Sequence, residues 1–217
     1  VKGVFMYPIN RFFIALALLF FVQNNCVTAV ERAASCIKIE HGDITRSSCQ
    51  AIVNAANEQL LGGAGVCGAI FKAAGWKDLQ QACNKHVTLD HGIKCPVGQA
   101  RITNSFNLKS RGIQYVIHAV GPDCRVITNI KEQDMLLESA YKQSLMLADQ
   151  YGIKSIAFPF ISSAIYAFPK QRACDIALKT VSEYMRNNNT TQIERVEFVL
   201  FSKEDYDLFS TTLKKMR

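Results

Sequence analysis

The chain has 217 residues, 49% of them hydrophobic and 20% charged, with 12 Gly, 5 Pro and a formal net charge of +7. This excludes a disordered tail and a low-complexity fibre, and it is enough chain for one domain with a full core. The basic residues are scattered, with no run longer than Lys214-Lys215 and no interleaved aromatics, so mild attraction to polyanions is implied and a nucleic-acid partner is not.

In chain order, Lys2 and Arg11 precede an apolar run over 12–22, followed by Gln23-Asn24-Asn25 and the Val27-Thr28-Ala29 stretch that a signal peptidase reads. The run is shorter than the roughly 20 residues of a membrane span and has the length of a signal-peptide core. Residues 1–29 are therefore expected to be a secretory signal, or a membrane anchor if uncleaved, and 30–217 the folded domain. The expected location is periplasmic or secreted. Cleavage after Ala29 removes Cys26 and leaves an odd number of cysteines. Export permits disulfides, with Cys83 and Cys95 the first pair to test; Cys36, Cys49 and Cys174 lie in apolar segments and read as buried hydrophobes. No CxxC pair and no Cys-His zinc spacing occurs, so no metal is expected.

Short β-branched runs follow at 36–39, 51–54, 100–103, 115–120, 155–160 and 195–201. Between them, helices are expected over 66–74 with a continuation to 86, and over 131–150, 170–187 and 203–215. In helix 131–150 the apolar stripe is read as Met135, Leu136, Ser139-Ala140, Gln143 and Leu147, and Gly152 as its C-terminal stop. Alternating strands and helices predict a three-layer α/β/α sandwich in one domain.

In such sheets ligands bind at the carboxyl ends of the strands. The exits here are Gly42-Asp43, Asn54-Ala55-Ala56-Asn57, His118-Ala119-Val120-Gly121-Pro122, the stretch from Phe160 to Tyr166, and Phe201-Ser202. Gly62-Gly63-Ala64-Gly65 opens a helix, so its backbone N–H groups and the helix dipole suit a phosphate, although it is neither a P-loop nor a dinucleotide fingerprint. The stretch from Ser162 to Tyr166 is a second candidate cradle, and two such loops suggest a diphosphate. Asp43 reads either as an acceptor for an exocyclic amine or ribose hydroxyl, or as an N-cap for Ile44-Thr45. Phe201 reads either as a stacking surface for a base or as core. His41 and His118 are candidates for acid–base help, with a hydrogen-bonded structural role favoured for His118.

The motifs GDIT (42–45), IVNAAN (52–57), LLGGAGVCGAI (60–70), HAVGP (118–122) and ISSAIYAFP (161–169) resemble those of the macrodomain family, over roughly residues 35–217. The resemblance implies a mixed central sheet and binding of ADP-ribose, with hydrolysis of ADP-ribose from mono-ADP-ribosylated proteins or deacetylation of O-acetyl-ADP-ribose. It implies no cofactor, and a monomer is expected. It places Asp43 on the adenine amine with Ile44 and Phe201 about the ring, and Gly63, Ala64, Gly65 and Val66 in the first phosphate loop. Ser162, Ser163, Ala164, Ile165 and Tyr166 form the second loop, Tyr166 flanking the distal ribose, and Asn57 binds that ribose near the scissile bond.

The hydrolase branch with a GGVDG signature has Asp where this chain has Cys67, and commonly His where it has Phe71. Some viral members also carry GVC at this place; in them a bound phosphate oxygen is read as orienting the attacking water. Cys67 is thus either a small packing residue or a thiol taking part in catalysis. The family's second loop usually reads STGIYGYP, so Ala164 and Ala167 replace glycines, and a methyl at Ala164 is expected to obstruct a phosphate or demand negative φ. The enzyme reading rests on Asn57 with Cys67; the alternative is an ADP-ribose reader that turns nothing over.

Overall fold

The structure, a computed structural model, describes residues 36–217; the expected signal at 1–29 lies outside them. All six expected strands form: β1 (Ile37–His41), β2 (Ala51–Ala55), β3 (Ala100–Asn104), β4 (Tyr115–Ala119), β5 (Ser155–Phe158) and β6 (Arg195–Leu200). They build a single sheet in the order β1-β6-β5-β2-β4-β3. Every neighbouring pair is parallel except β3 with β4, so the sheet is mixed, with an antiparallel edge strand beyond five parallel ones.

The strands are apolar at consecutive positions because both faces of the sheet are covered. Along β2, Ala51 and Val53 enter one core while Ile52 enters the other; along β5, Ile156 and Phe158 are divided from Ala157 in the same way. The first core is closed by α3 (Ile130–Gln150), α4 (Lys170–Asn187) and α5 (Lys203–Met216), through Leu137, Tyr141, Val181 and Phe209 among others. The second is closed by α1 (Gly65–Ala74) and α2 (Trp76–Asn84), through Ile70, Phe71 and Leu79. This is the three-layer sandwich expected from the alternating pattern.

Three local expectations are corrected. The helix from 66 does not run unbroken to 86: Gly75, at φ 96°, separates α1 from α2. A Cβ there would also sit 3.0 Å from Asn107 Nδ2, so the break takes a residue without a side chain. In α3 the buried stripe is Leu137, Ala140, Tyr141, Ser144, Leu145 and Ala148, whereas Met135 is exposed. The two stripes are equally periodic, offset by one residue and share Ala140; in the buried one the Ser144 hydroxyl is returned to Ala140 O at 2.7 Å. Cys83 and Cys95 are both thiols. Cys83 Sγ lies 3.6 Å from His118 Nε2, while Cys95 Sγ turns to the carbonyls of Pro96 and His118.

The stop at Gly152 is as expected. At φ 65°, it donates its N–H to Asp149 O while Ile153 donates to Ala148 O, the paired bonds that close a helix C-terminus. Cys36, Cys49 and Cys174 are buried. Among the described residues no helix is long and apolar enough to cross a membrane.

Candidate functional site

The five parallel strands present their carboxyl ends at one edge of the sheet, and there two cavities meet. One, of about 250 Å³, is lined by Asn57, Gly63, Ala64, Cys67, Gly121, Ser162, Ile165 and Tyr166. The other, of about 440 Å³, is lined by Asp43, Ile44, Ser163, Phe201, Ser202 and Asp205. Gly65, Val66, Phe160 and Ala164 border both, so the cavities form one groove. Every residue that the family resemblance assigns to the site therefore borders this groove.

At one end the β1 exit carries Asp43. Its Oδ1 accepts from Thr45 N at 2.9 Å, capping the short turn Ile44–Arg46, so the capping reading holds for a residue that also lines the cavity. Arg111 ties the turn down by donating to Thr45 O at 3.0 Å. Ile44 is buried beneath the cavity, whereas Phe201, one residue past β6, is 85% exposed. A ring left that open is not core; it is a free face beside a pocket. Ser202 Oγ caps α5 by accepting from Asp205 N, which places Asp205 on the rim; its carboxylate pairs with Lys170 at 2.8 Å.

The middle of the groove is made by two loops. In the first, Gly65 takes φ 60° and starts α1 behind Ala64, which gives no side-chain cap, so the first N–H groups of the helix are free of side-chain partners. A Cβ on Gly68 would lie 2.5 Å from Gly63 O, which is why the helix can press against the loop only with glycine there. Gln80 of α2 holds the same loop, accepting from Gly62 N at 2.9 Å and donating to Leu60 O at 3.1 Å. In the second loop Ser162 has φ 62° and Ala167 φ 52°, while Ala164 keeps negative φ. Ala164 thus takes the negative φ its methyl demands, and of the two alanines in glycine places Ala167 is the one at positive φ. Ser163 Oγ is used internally, donating to Phe160 O, whereas Ser162 Oγ is buried on the cavity wall with no protein partner. Loops with free N–H groups on two sides of a groove suit an anion.

At the far end stand Asn57, Cys67 and Tyr166. Asn57 is clamped by one residue: its Oδ1 accepts from Leu61 N and its Nδ2 donates to Leu61 O, both at 2.9 Å. Cys67 Sγ donates to Leu61 O at 3.8 Å and accepts from Asn54 Nδ2 at 3.6 Å, and burial pushes its thiol pKa up. The helix N-terminus does not make it a thiolate. Tyr166 is bordered on its outer side by Arg125, whose guanidinium lies 5.9 Å from the ring centre and is paired with Asp123. Burial also raises the pKa of the Tyr166 phenol, keeping it neutral.

Neither histidine serves here. His118 is wholly buried under α1 and α2, its pKa driven down to about 3 by desolvation, and it does not line the groove. His41 packs beside Tyr206 and is likewise outside both cavities. Among the described residues no cluster of three or more His, Cys, Asp or Glu converges as a metal site requires. The sequence reading named Asn54 and Phe160 as members of strand exits without giving them a role, and it passed over Asp205.

Known proteins carry the same architecture. A protein from Caldanaerobacter subterraneus, named macro domain-containing protein TTE0995, is 45% identical over 180 residues, covering 83% of this chain and 97% of its own. One from Pantoea vagans, named O-acetyl-ADP-ribose deacetylase 1, is 44% identical over 173 residues, covering 80% and 95%. The Oceanobacillus iheyensis macrodomain solved with ADP superposes with a TM-score of 0.75 at 37% identity, covering 83% of this chain and 90% of that one. A mutant of it was solved with ADPR and superposes at 0.74, with 36% identity over 83% and 92%. The family profile described as "Macro domain" matches residues 53–177, and with this groove at the strand ends the chain belongs to the macrodomain family.

Proposed function

We propose that the groove binds ADP-ribose and that the protein deacetylates O-acetyl-ADP-ribose. The observation that carries this reading is the order of groups along one continuous groove: a base-sized cavity, two anion loops, then a clamped amide. Phe201 and Ile44 take the two faces of the adenine, and Asp43 accepts from its amine. The diphosphate lies between the loops at 63–66 and 162–166. The distal ribose reaches Asn57, with Tyr166 beside it. The names of relatives support this: one is an O-acetyl-ADP-ribose deacetylase, and a structural neighbour was solved with ADPR.

Hydrolysis here proceeds by positioning. Asn57 holds the ribose hydroxyls and so the attached acyl ester, while a phosphate oxygen of the substrate orients the attacking water. Loop N–H groups stabilise the charge that develops on the acyl oxygen. Cys67 stays a protonated thiol and His118 is sealed away, so neither is a general base. Mono-ADP-ribosylated proteins are substrates of the same site in this reading, and residues 1–29 export the enzyme to them. The second reading, an ADP-ribose reader, is favoured by that lack of a side-chain base.

Calorimetry with ADP-ribose and acetate release from O-acetyl-ADP-ribose separate the two. Binding with turnover is expected, and Asn57→Ala should cut turnover on the order of a hundredfold while binding changes far less. Binding without acetate release leaves the reader; no heat at millimolar ligand removes both. Release of ADP-ribose from a glutamate-linked mono-ADP-ribosylated protein tests the wider substrate range. Recovery of the protein only from the cytoplasm of its producer would end the export proposal.

A further inference from the structure

Behind Asn57 runs one unbroken line of hydrogen bonds into the buried sheet. The Leu61 carbonyl that receives Asn57 Nδ2 at 2.9 Å also receives the Cys67 thiol at 3.8 Å. Cys67 Sγ in turn accepts from Asn54 Nδ2 at 3.6 Å, and the same amide nitrogen faces His118 Nδ1 at 3.1 Å. His118 Nε2 then meets Thr103 Oγ1 at 3.0 Å. An amide nitrogen only donates, so the ring accepts at Nδ1 and carries its proton on Nε2. The polarity follows: the imidazole N–H faces Thr103 Oγ1 and, at 3.6 Å, Cys83 Sγ, Asn54 donates to both His118 and Cys67, and the thiol is left to donate to Leu61 O.

We infer that Cys67, Asn54 and His118 form a positioning relay that fixes the orientation of the Asn57 amide, with Cys67 acting through the Leu61 carbonyl. The effect on catalysis rests on the deacetylase reading above; the effect on the amide does not. Gln80 ties the peptides on either side of Leu61 to α2, through Leu60 O and Gly62 N, and leaves the Leu61 carbonyl to Asn57 and Cys67. The Leu61 side chain is half exposed, and its peptide sits between Leu60, at a positive φ of 54°, and Gly62. Asn57 and Leu61 make a closed pair whose shared carbonyl Gln80 does not hold. The thiol, anchored on α1 and on β2 through Asn54, ties that pair to the sheet. In a buried line of polar groups each bond lost leaves a desolvated partner, and Asn54 Oδ1 is already buried without one, so the Asn54 amide is held through its nitrogen alone. Cys67 is the residue through which the relay reaches the groove, and its hydrogen-bonding capacity is spent on the protein.

The test compares the wild type with Cys67→Ala and Cys67→Ser, reading the Asn57 side-chain NH2 signals by NMR, assigned from their loss in Asn57→Ala. In Cys67→Ala the Asn57 signals should move toward free-amide positions and exchange faster with water. Turnover should fall on the order of ten- to a hundredfold, with ADP-ribose affinity falling less, since the thiol borders the first loop only at Gly63. A hydroxyl both donates and accepts, so Cys67→Ser should restore the Asn57 signals and much of kcat. Unchanged Asn57 signals in Cys67→Ala would overturn the relay. So would a Cys67→Ser variant with intact Asn57 signals and no turnover, which would make the thiol a reacting group. If the wild type releases no acetate, the deacetylase reading fails while the Asn57 signals still decide the relay.

Discussion

Ala167 shows how a single methyl is tolerated where the family resemblance places glycine. At φ 52° it ends the second loop, its N–H given to Ala164 O at 3.0 Å. An L-residue in this region costs about 1 kcal/mol relative to glycine. Ala167→Gly should therefore raise stability by somewhat under 1 kcal/mol, net of the looser unfolded chain, and thermal or urea melts would read it. Residue identities were legible in the sequence, yet which alanine bears the strain was not, because φ depends on how the loop closes onto Phe168, whose N–H meets Ser162 O. The same limit applies to Asp43, whose capping and ligand-facing readings were both open until the bond to Thr45 N was placed. For Cys67 the missing information was longer in range: Asn54 and His118 come from two neighbouring strands, and sequence spacing alone does not bring them under α1.

Strands read well at the element scale because six apolar runs bounded by polar exits leave little choice of register. Helices were less determinate: a stripe offset by one residue along α3 fits the same period, and only packing chose Leu137 and Tyr141 over Met135 and Leu136. The exit of β4 shows an element depending on another's backbone. A Cβ on Gly121 would lie 2.2 Å from Ser162 Oγ and 2.6 Å from Ile161 Cγ2, both on buried residues of the second loop. Gly121→Ala is expected to destabilise the fold by roughly 1–3 kcal/mol through overpacking and to weaken ADP-ribose binding by displacing Ser162. Measuring melting and calorimetric affinity on one preparation checks both, and unchanged affinity would separate the loop's position from ligand binding.

For the whole molecule, the buried imidazole makes stability depend on pH. Folding lowers the His118 pKa from 6.5 to about 3, so between these values the unfolded chain binds the extra proton. The contribution is complete above pH 6.5 and is lost as pH falls toward 3, with a slope approaching 1.4 kcal/mol per pH unit, about one proton's worth. His86, also lowered by burial, acts in the same direction. Urea midpoints taken from pH 7 to 5, before most carboxylates titrate, should fall less steeply in His118→Gln. Sheet order acts at this scale too. β1 pairs with β6, Ile37 opposite Val196, so the first and last strands of the domain lie side by side. The anion loops and Asn57 hang on β2, β4 and β5, while Asp43 and Phe201 hang on β1 and β6. During synthesis, β1 must wait for nearly the whole chain to leave the ribosome before it finds its partner, and that closure spans the longest loop in the sheet. A nascent chain halted before β6 thus lacks the Phe201 end of the groove and leaves β5 as an open sheet edge.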